Sequence, residues 1–200
     1  MGVIIGKISR ILLFRPRRDG SAGDSAALQK DLDNSSSWSA ASGLGFNEKK
    51  CKTQSITKKR KPISTKYIIN ETAVNSTDVE RDLGVSADND LTWHAQVCHQ
   101  AARANKLLGY VKRNSRHIRS IHVRRTLYLG LVRSHLGYAT QVWAPQTIEL
   151  ISKLESTQRR ATKFILSLPF FTDVTYKERL ISLNLLPICY WHEFLDLVCF

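Results

Sequence analysis

Nine arginine and lysine side chains stand in an interval of the sequence that holds no acidic residue. Between Asp90 and Glu149 the chain runs for 58 residues without an aspartate or a glutamate. A helical face in water normally mixes both signs, because opposite charges three or four residues apart stabilise it and like charges do not. We therefore predict that this interval contacts the phosphate groups of a nucleic acid. The predicted contact residues are Arg103, Lys106, Lys112, Arg113, Arg116, Arg119, Arg124, Arg125 and Arg133.

A later segment carries cations that are interleaved with acids. Lys153, Arg159 and Lys163 share one predicted helix with Glu149 and Glu155. Because opposite charges at such spacing neutralise one another on a helix surface, we expect these three cations to contribute much less to binding than the acid-free interval.

A second basic cluster reads KKRKP at residues 58–62. A short basic run of this kind can contact nucleic acid, act as a nuclear import signal or decorate a hairpin loop. These three interpretations stay open on the sequence, and the second is compatible with a location in the nucleus as well as in the cytoplasm.

Other chemistry has little support in the residue pattern. His94, Cys98 and His99 have the spacing of metal ligands on a helix, but two further ligands at suitable spacing are absent, so we predict no metal site. No P-loop, Gly-x-Ser-x-Gly motif or paired cysteine–histidine nucleophile occurs. The carboxylates are scattered and no two are adjacent. We expect this chain to require no cofactor.

The composition indicates a folded, strongly basic protein. Hydrophobic residues make up 42% of its 200 residues, which is enough for a core, and the net charge of +13 favours a polyanionic partner. The four cysteines are widely spread and form no Cys-x-x-Cys pair, as is typical of reduced intracellular thiols. No secretory signal, myristoylation pattern or membrane-spanning segment is present. We therefore expect an intracellular protein without a membrane partner.

The elements that would position the basic residues follow from hydropathy. Strand-forming residues dominate 51–93, with predicted reversals at Asn70-Glu71 and at 87–90, and helical periodicity begins at His94. An earlier helix is predicted over 24–43, where Gly43 suits its C-terminal end. Further helices are predicted over 121–143, 148–168, 176–183 and 188–200.

Seven segments in order resemble the C-terminal part of the reverse transcriptase of non-LTR retrotransposons, of the LINE type and jockey- or CR1-like. They span roughly residues 24–197. The matching segments are LQKDLDNSSSWS, GLGFNEKKC, ERDLGVSADNDLTWHAQV, ANKLLGYVKRN, LYLGLVRSHLGYATQVWAP, LESTQRRATKFIL and YKERLISLNLLPI.

The resemblance implies a fold and several residue roles. The fold is α+β: the end of a polymerase palm, with a helix and antiparallel β-hairpins, followed by an all-helical thumb-like bundle. Asn47 and Lys50 match the motif that closes the palm helix, whose lysine is thought to protonate the leaving pyrophosphate. Residues 82–85 match the hairpin that grips the primer end, namely Asp82, Leu83, Gly84 and Val85.

The same resemblance implies that the polymerase site is missing. In the family, a strand such as Leu12–Phe14 leads directly into two adjacent aspartates that hold Mg²⁺, whereas here Arg15-Pro16-Arg17 follows. Guanidinium groups repel Mg²⁺, and the proline changes the turn. The upstream palm segment with the other metal-binding aspartate is also absent. We therefore expect no catalysis from this chain by itself.

The expected organisation is a leader of non-family or degraded sequence over 1–23, a palm remnant over 24–93 and a helical thumb-like region over 94–200. One function is that of a truncated, inactive polymerase fragment that retains a basic region for RNA or DNA, with the missing polymerase portion as a further partner. The alternative is a non-functional pseudogene product or a helical protein-interaction module that binds no nucleic acid, because an orphaned palm would leave apolar surface exposed.

Overall fold

A computed structural model describes residues 2–8, 10–14, 22–47, 50–56 and 65–199. The chain divides into two units, residues 1–92 and residues 93–200, called here the N-terminal unit and the helical unit. In its described residues the N-terminal unit combines one long helix with short strands, and the helical unit contains helices without a strand. The predicted α+β class is therefore confirmed.

Four strands form the sheet of the N-terminal unit. Strand β1 (Gly2–Ile8) lies between β2 (Arg10–Phe14) and β3 (Lys52–Ile56) and is antiparallel to both. At the other edge β3 pairs in parallel with β6 (Asn75–Ser76). Residues 1–23, which are predicted to be a leader, thus contain two strands of this sheet, β1 and β2. The sequence does not predict strand β1, because Lys7 interrupts its apolar run.

Helix α1 (Ala22–Ala41) packs over a small core of five buried residues. The buried side chains are Leu28, Leu32, Cys51, Tyr67 and Ile69. The helix ends as predicted, because Gly43 takes a φ of +68° and lets the Leu44 N–H reach the carbonyl of Ser39 at 3.1 Å.

Two β-hairpins complete this unit. Strands β4 (Ile68–Ile69) and β5 (Thr72–Ala73) pair around the predicted reversal, and β7 (Val79–Asp82) pairs with β8 (Val85–Asp88). The side-chain amide of the buried Gln54 joins the second hairpin to the sheet by donating to the carbonyls of Asp78 and Ala87. The other predicted reversal starts two residues later than expected, since Ala87 and Asp88 still belong to β8 and the turn occupies 89–90.

The helical unit begins with α2 (His94–Asn114), at the residue where helical periodicity starts in the sequence. Helix α6 (Ile148–Ile165) packs against α2. Helices α7 (Tyr176–Ser182) and α8 (Ile188–Val198) follow close to their predicted positions. Within the described ranges, no helix has both the length and the apolarity that a membrane span requires.

The single helix predicted over 121–143 is divided into pieces. It contains α3 (Ile121–Leu127), a π-helical segment (Tyr128–Arg133), α4 (Ser134–Gly137) and α5 (Thr140–Trp143). The chain breaks where Ala139 takes a φ of +54°. Beside the break, the indole N–H of the fully buried Trp143 donates to the carbonyl of Tyr138 at 2.7 Å.

A buried polar network joins α6, α7 and α8. The carboxylate of Glu155 accepts hydrogen bonds from the phenol of Tyr176 and from the backbone N–H of Ile188, the latter at 2.8 Å. The adjacent Gln158 accepts from the phenol of Tyr128 at 2.8 Å and donates to the carbonyl of Leu186 at 2.9 Å. Burial raises the pKa of both tyrosines, so both stay neutral donors.

Helix α4 approaches α8 so closely that one position excludes a side chain. A Cβ on Gly137 would lie 2.3 Å from the Trp191 ring, whose face carries the Arg133 guanidinium at 4.2 Å from the centroid. We expect Gly137→Ala to lower the free energy of unfolding by about 1–3 kcal/mol, because a methyl group there must displace an indole that already packs against Arg133. Urea denaturation followed by circular dichroism measures the change.

Gly130→Ala is the matched control, since nothing lies within 4 Å of a Cβ at that position. There the better helix propensity of alanine should leave stability unchanged or raise it by up to about 1 kcal/mol. Equal effects of the two substitutions would contradict the close approach.

The buried His192 makes the stability of the helical unit depend on pH. Its ring lies edge-on to Trp143, and its Nε2 donates to the carbonyl of Leu136 at 2.8 Å. Burial lowers the pKa of His192 and outweighs the hydrogen bond to Leu136 and the Asp196 carboxylate, which raise it, while a smaller repulsion from Arg133 lowers it further.

The unfolded state therefore binds a proton more readily than the folded state, and the contribution of His192 to stability is lost as the pH falls below about 6.5. We expect the free energy of unfolding to decline less between pH 7.5 and 5.5 in His192→Gln, whose amide can still donate to Leu136. The exposed His117→Gln should decline like the unsubstituted protein. An equal decline in all three proteins would show that His192 is not the group responsible.

Candidate nucleic-acid interface

A strongly basic cleft opens on the helical unit. Its volume is about 830 Å³, and α2, α3, α6 and α7 contribute to its walls together with the loop after α6. Seven of the eleven lining residues are cationic and none is acidic. The cationic residues are Lys112, Arg116, Arg124, Arg159, Arg160, Lys163 and Arg179.

Helical spacing places the outer cations of the cleft side by side. Arg116 follows Lys112 by four residues at the end of α2 and just beyond it, and Lys163 follows Arg159 by four residues on α6. Residues four apart on a helix lie on the same face, so Arg159 and Lys163 present their charges in one direction, whereas Arg116 reaches the cleft from the turn after α2. Arg160 extends the α6 row and donates to the side-chain carbonyl of Asn105 on α2 at 2.7 Å.

Two buried arginines form the inner wall. Arg124 is 8% exposed, and its guanidinium donates to the carbonyls of Ile118 at 2.6 Å and Phe164 at 3.0 Å. Arg179 is 5% exposed and donates to the carbonyl of Arg159 at 3.1 Å. Carbonyl oxygens satisfy the donors of these arginines without cancelling their charge, so the wall stays positive.

Few negative charges oppose this cluster. Among the described residues, the one ion pair joins Lys52 and Glu80 of the N-terminal unit, so no cation of the cleft is paired with a described carboxylate. The crowding affects Lys112, whose pKa is lowered by burial and by repulsion from the Arg160 guanidinium. An anion placed in the cleft would relieve this repulsion.

Aromatic rings alternate with the cations. The Arg124 guanidinium lies 4.9 Å from the centroid of Phe164, and that of Arg159 lies 4.9 Å from the centroid of Tyr176. Lys163 lies 5.1 Å from the centroid of Phe170 at the mouth of the cleft. These contacts hold the cations in place and leave their charge intact.

The structure separates the nine basic residues predicted from the acid-free interval. Lys112, Arg116 and Arg124 line the cleft. Arg103, Lys106, Arg113 and Arg119 are exposed on the same unit but outside the cleft lining.

The remaining two of the nine hold the fold together. Arg125 donates to the carbonyls of Leu183 and Asn184, and Arg133, 7% exposed, donates to that of Leu186. Arg125 and Arg133 therefore use donors inside the helical unit, and the contact of the nine residues with nucleic acid stays a prediction.

Four cations of the cleft lie outside the acid-free interval. Arg159 and Lys163, for which the sequence predicts a smaller contribution to binding than that of the acid-free interval, both line the cleft, and their contribution to binding stays a prediction. The glutamate that should neutralise them, Glu155, is turned into the core and bonded there. Lys153 lies elsewhere and donates to the thiol of Cys98 at 2.9 Å. The sequence does contain a signal for the face of α6 that lines the cleft. It is the i, i+4 spacing of Arg159 with Lys163 and of Arg160 with Phe164.

The positions carried over from the polymerase resemblance lie in the N-terminal unit. Lys50 is exposed just before β3. Residues 82–85 form the tip of the β7–β8 hairpin, where Asp82 pairs with Val85 and the turn residues Leu83 and Gly84 take φ values of +45° and +87°. Glycine suits the second value because it has no Cβ. Arg15-Pro16-Arg17 and the KKRKP cluster at 58–62 lie outside the described residues.

The histidine and cysteine cluster does not assemble a metal site. His94 and Cys98 approach to 3.7 Å, but the third group at the thiol is the Lys153 ammonium, which is not a ligand for a cation. Across the described ranges no three histidine, cysteine or carboxylate side chains are grouped so as to hold a metal ion.

Comparison of the chain with protein-family models, with curated proteins and with solved structures finds no match in any of the three. The resemblance to a reverse transcriptase therefore rests on the seven sequence segments, and the cleft rests on the geometry described above.

Proposed function

We propose that the helical unit binds the phosphate backbone of RNA or DNA in its basic cleft. The observation that supports this most directly is the grouping of seven cationic side chains in one cleft of about 830 Å³ whose lining has no carboxylate. So much unpaired positive charge is costly to assemble and is stabilised by a polyanion. Arginine predominates among the seven, and its planar guanidinium matches the oxygens of a phosphate group.

We further propose that the chain is a truncated fragment of a non-LTR retrotransposon RNA-directed DNA polymerase. On this view the N-terminal unit is the end of a palm, with the 82–85 hairpin as its primer-grip-like element, and the helical unit corresponds to the thumb. The protein acts inside the cell, in the nucleus or the cytoplasm, and the missing polymerase portion is a further partner. The seven ordered segments support this assignment.

Charge removal in the cleft tests the binding proposal. We expect the triple variant Arg116→Gln, Arg159→Gln, Arg160→Gln to bind a DNA or RNA duplex more weakly. Each lost phosphate contact releases one fewer counterion, so the slope of log affinity against log salt should shrink by about 2–3 units for three contacts. Fluorescence anisotropy between 50 and 300 mM salt measures the slope.

The control variant removes the same charge from exposed positions that neither line the cleft nor belong to the nine predicted contact residues, by Lys30→Gln, Lys66→Gln, Lys177→Gln. Its salt slope should stay close to that of the unsubstituted protein. A slope that shrinks equally in both variants would mean that net charge alone governs binding. An unchanged slope in the cleft variant, with its circular dichroism unaltered, would contradict the proposed interface.

The fragment assignment predicts that the chain does not polymerise. Incubated with a primer–template, deoxynucleoside triphosphates and Mg²⁺ or Mn²⁺, the purified protein should extend no primer above a blank, because arginines stand where the family has its aspartates. Primer extension resolved on a sequencing gel is the measurement. Template-dependent incorporation that co-purifies with the protein through successive columns would contradict the assignment.

The alternative of a protein-interaction module is favoured by one specific surface. Helix α8 exposes Tyr190, Phe194 and Leu197 at 58%, 51% and 77%. Apolar groups so exposed on one helix are typical of a contact site. This function would hold if the protein bound no polyanion even at 50 mM salt and its cleft variant behaved as the unsubstituted protein does.

A further inference from the structure

Two exposed phenylalanines stand at the mouth of the basic cleft. Phe170 and Phe171 are 80% and 86% exposed, and their rings meet edge to face with centroids 4.9 Å apart. Phe170 also belongs to the cleft lining. Aromatic rings are usually buried in a folded unit. Here two exposed rings lie beside cations that no described carboxylate neutralises. Such a surface suits a partner that offers both flat apolar faces and negative charge.

The loop that carries the pair is held at both ends. Helix α6 ends where Ser167 takes a φ of +56° and the Leu168 N–H donates to the carbonyl of Lys163 at 2.9 Å. The Lys163 ammonium donates to the carbonyl of Phe170. Helix α7 begins with a capping box in which Thr175 and Glu178 bond reciprocally. The phenylalanines thus sit on an anchored loop.

We propose that the cleft binds single-stranded nucleic acid, with unpaired bases stacked on Phe170 and Phe171 while the cations hold the phosphates. This rests on the proposed function and adds the class of nucleic acid. Stacking distinguishes single-stranded from double-stranded nucleic acid. Inside a duplex the faces of each base are covered by its neighbours, so only unpaired bases can stack on a protein ring. Alternating aromatic and cationic side chains are the usual means of holding a single strand without sequence preference.

The size of the cleft agrees with a single strand. Its 830 Å³ falls within the range of about 300–1,000 Å³ that encloses one small ligand. Such a volume admits a few nucleotides of one strand, whereas a duplex reaches the same cations only through the phosphates on its surface. With the phosphates in the cleft, the neighbouring bases can stack on the rings of Phe170 and Phe171 at its mouth.

The experiment compares labelled (dT)12 and (rU)12 with a 12-base-pair DNA duplex on the full chain at 100 mM salt. We expect the single strands to bind more tightly. The double variant Phe170→Ala, Phe171→Ala should weaken single-strand binding by roughly tenfold or more for each base that loses its stacking partner. Its affinity for the duplex and for inorganic polyphosphate should not change, since these contact the cations.

Two controls separate stacking from folding. Phe170→Trp, Phe171→Trp keeps the stacking surface and should bind single strands at least as tightly as the unsubstituted protein, with tryptophan fluorescence quenched on binding. Phe194→Ala removes a phenylalanine of α8 that does not line the cleft and should change nothing.

Equal affinity for single strand and duplex, or an alanine variant that loses both alike, would overturn the single-strand proposal and leave the phosphate-binding function standing. Binding of none of the probes, polyphosphate included, would overturn the proposed function itself.

Discussion

The buried carboxylate of Glu155 is the constraint on which the helical unit depends. It is 8% exposed, and a Tyr176 phenol and an Ile188 backbone N–H satisfy its oxygens from two other helices. A carboxylate taken out of water is costly unless its acceptors are filled, so α7 and α8 must keep their positions on α6. The same arrangement turns the negative charge inward and leaves the outer face of α6 to Arg159, Arg160 and Lys163.

Arginine serves two purposes in this unit, and the position of each guanidinium decides which. Arg125 and Arg133 fix the loop before α8 by donating to backbone carbonyls. Arg124 and Arg179 also donate to carbonyls, but they do so at the wall of the cleft. Because a carbonyl accepts a hydrogen bond without carrying a full charge, these two arginines stiffen the wall and keep it positive. Arg124 and Arg179 thereby contribute to a positive field in the cleft, on which the proposed binding of a polyanion depends.

Local signals in the sequence predict much of the fold. The reversal at Asn70-Glu71, the helix end at Gly43 and the start of α2 at His94 depend on nearby residues, and the structure agrees with each of them. The break at Ala139 is different, because an apolar helical pattern runs through it. It accompanies the burial of Trp143, whose indole N–H donates to the carbonyl of Tyr138 just before the break. Strand β1 likewise needs β3, more than forty residues away, as its partner.

The sequence by itself determined the strong positive charge, the periodicity of the helices and the long interval without acids. Which of those charges face one another was decided by tertiary structure. Charge order along the chain places Arg159 beside Glu155 and apart from Arg116, whereas packing buries Glu155 and brings Arg159 and Arg116 into one cleft. The physical reason is that the burial of a charge, and hence its partner, depends on neighbours distant in the chain, which helical periodicity does not encode.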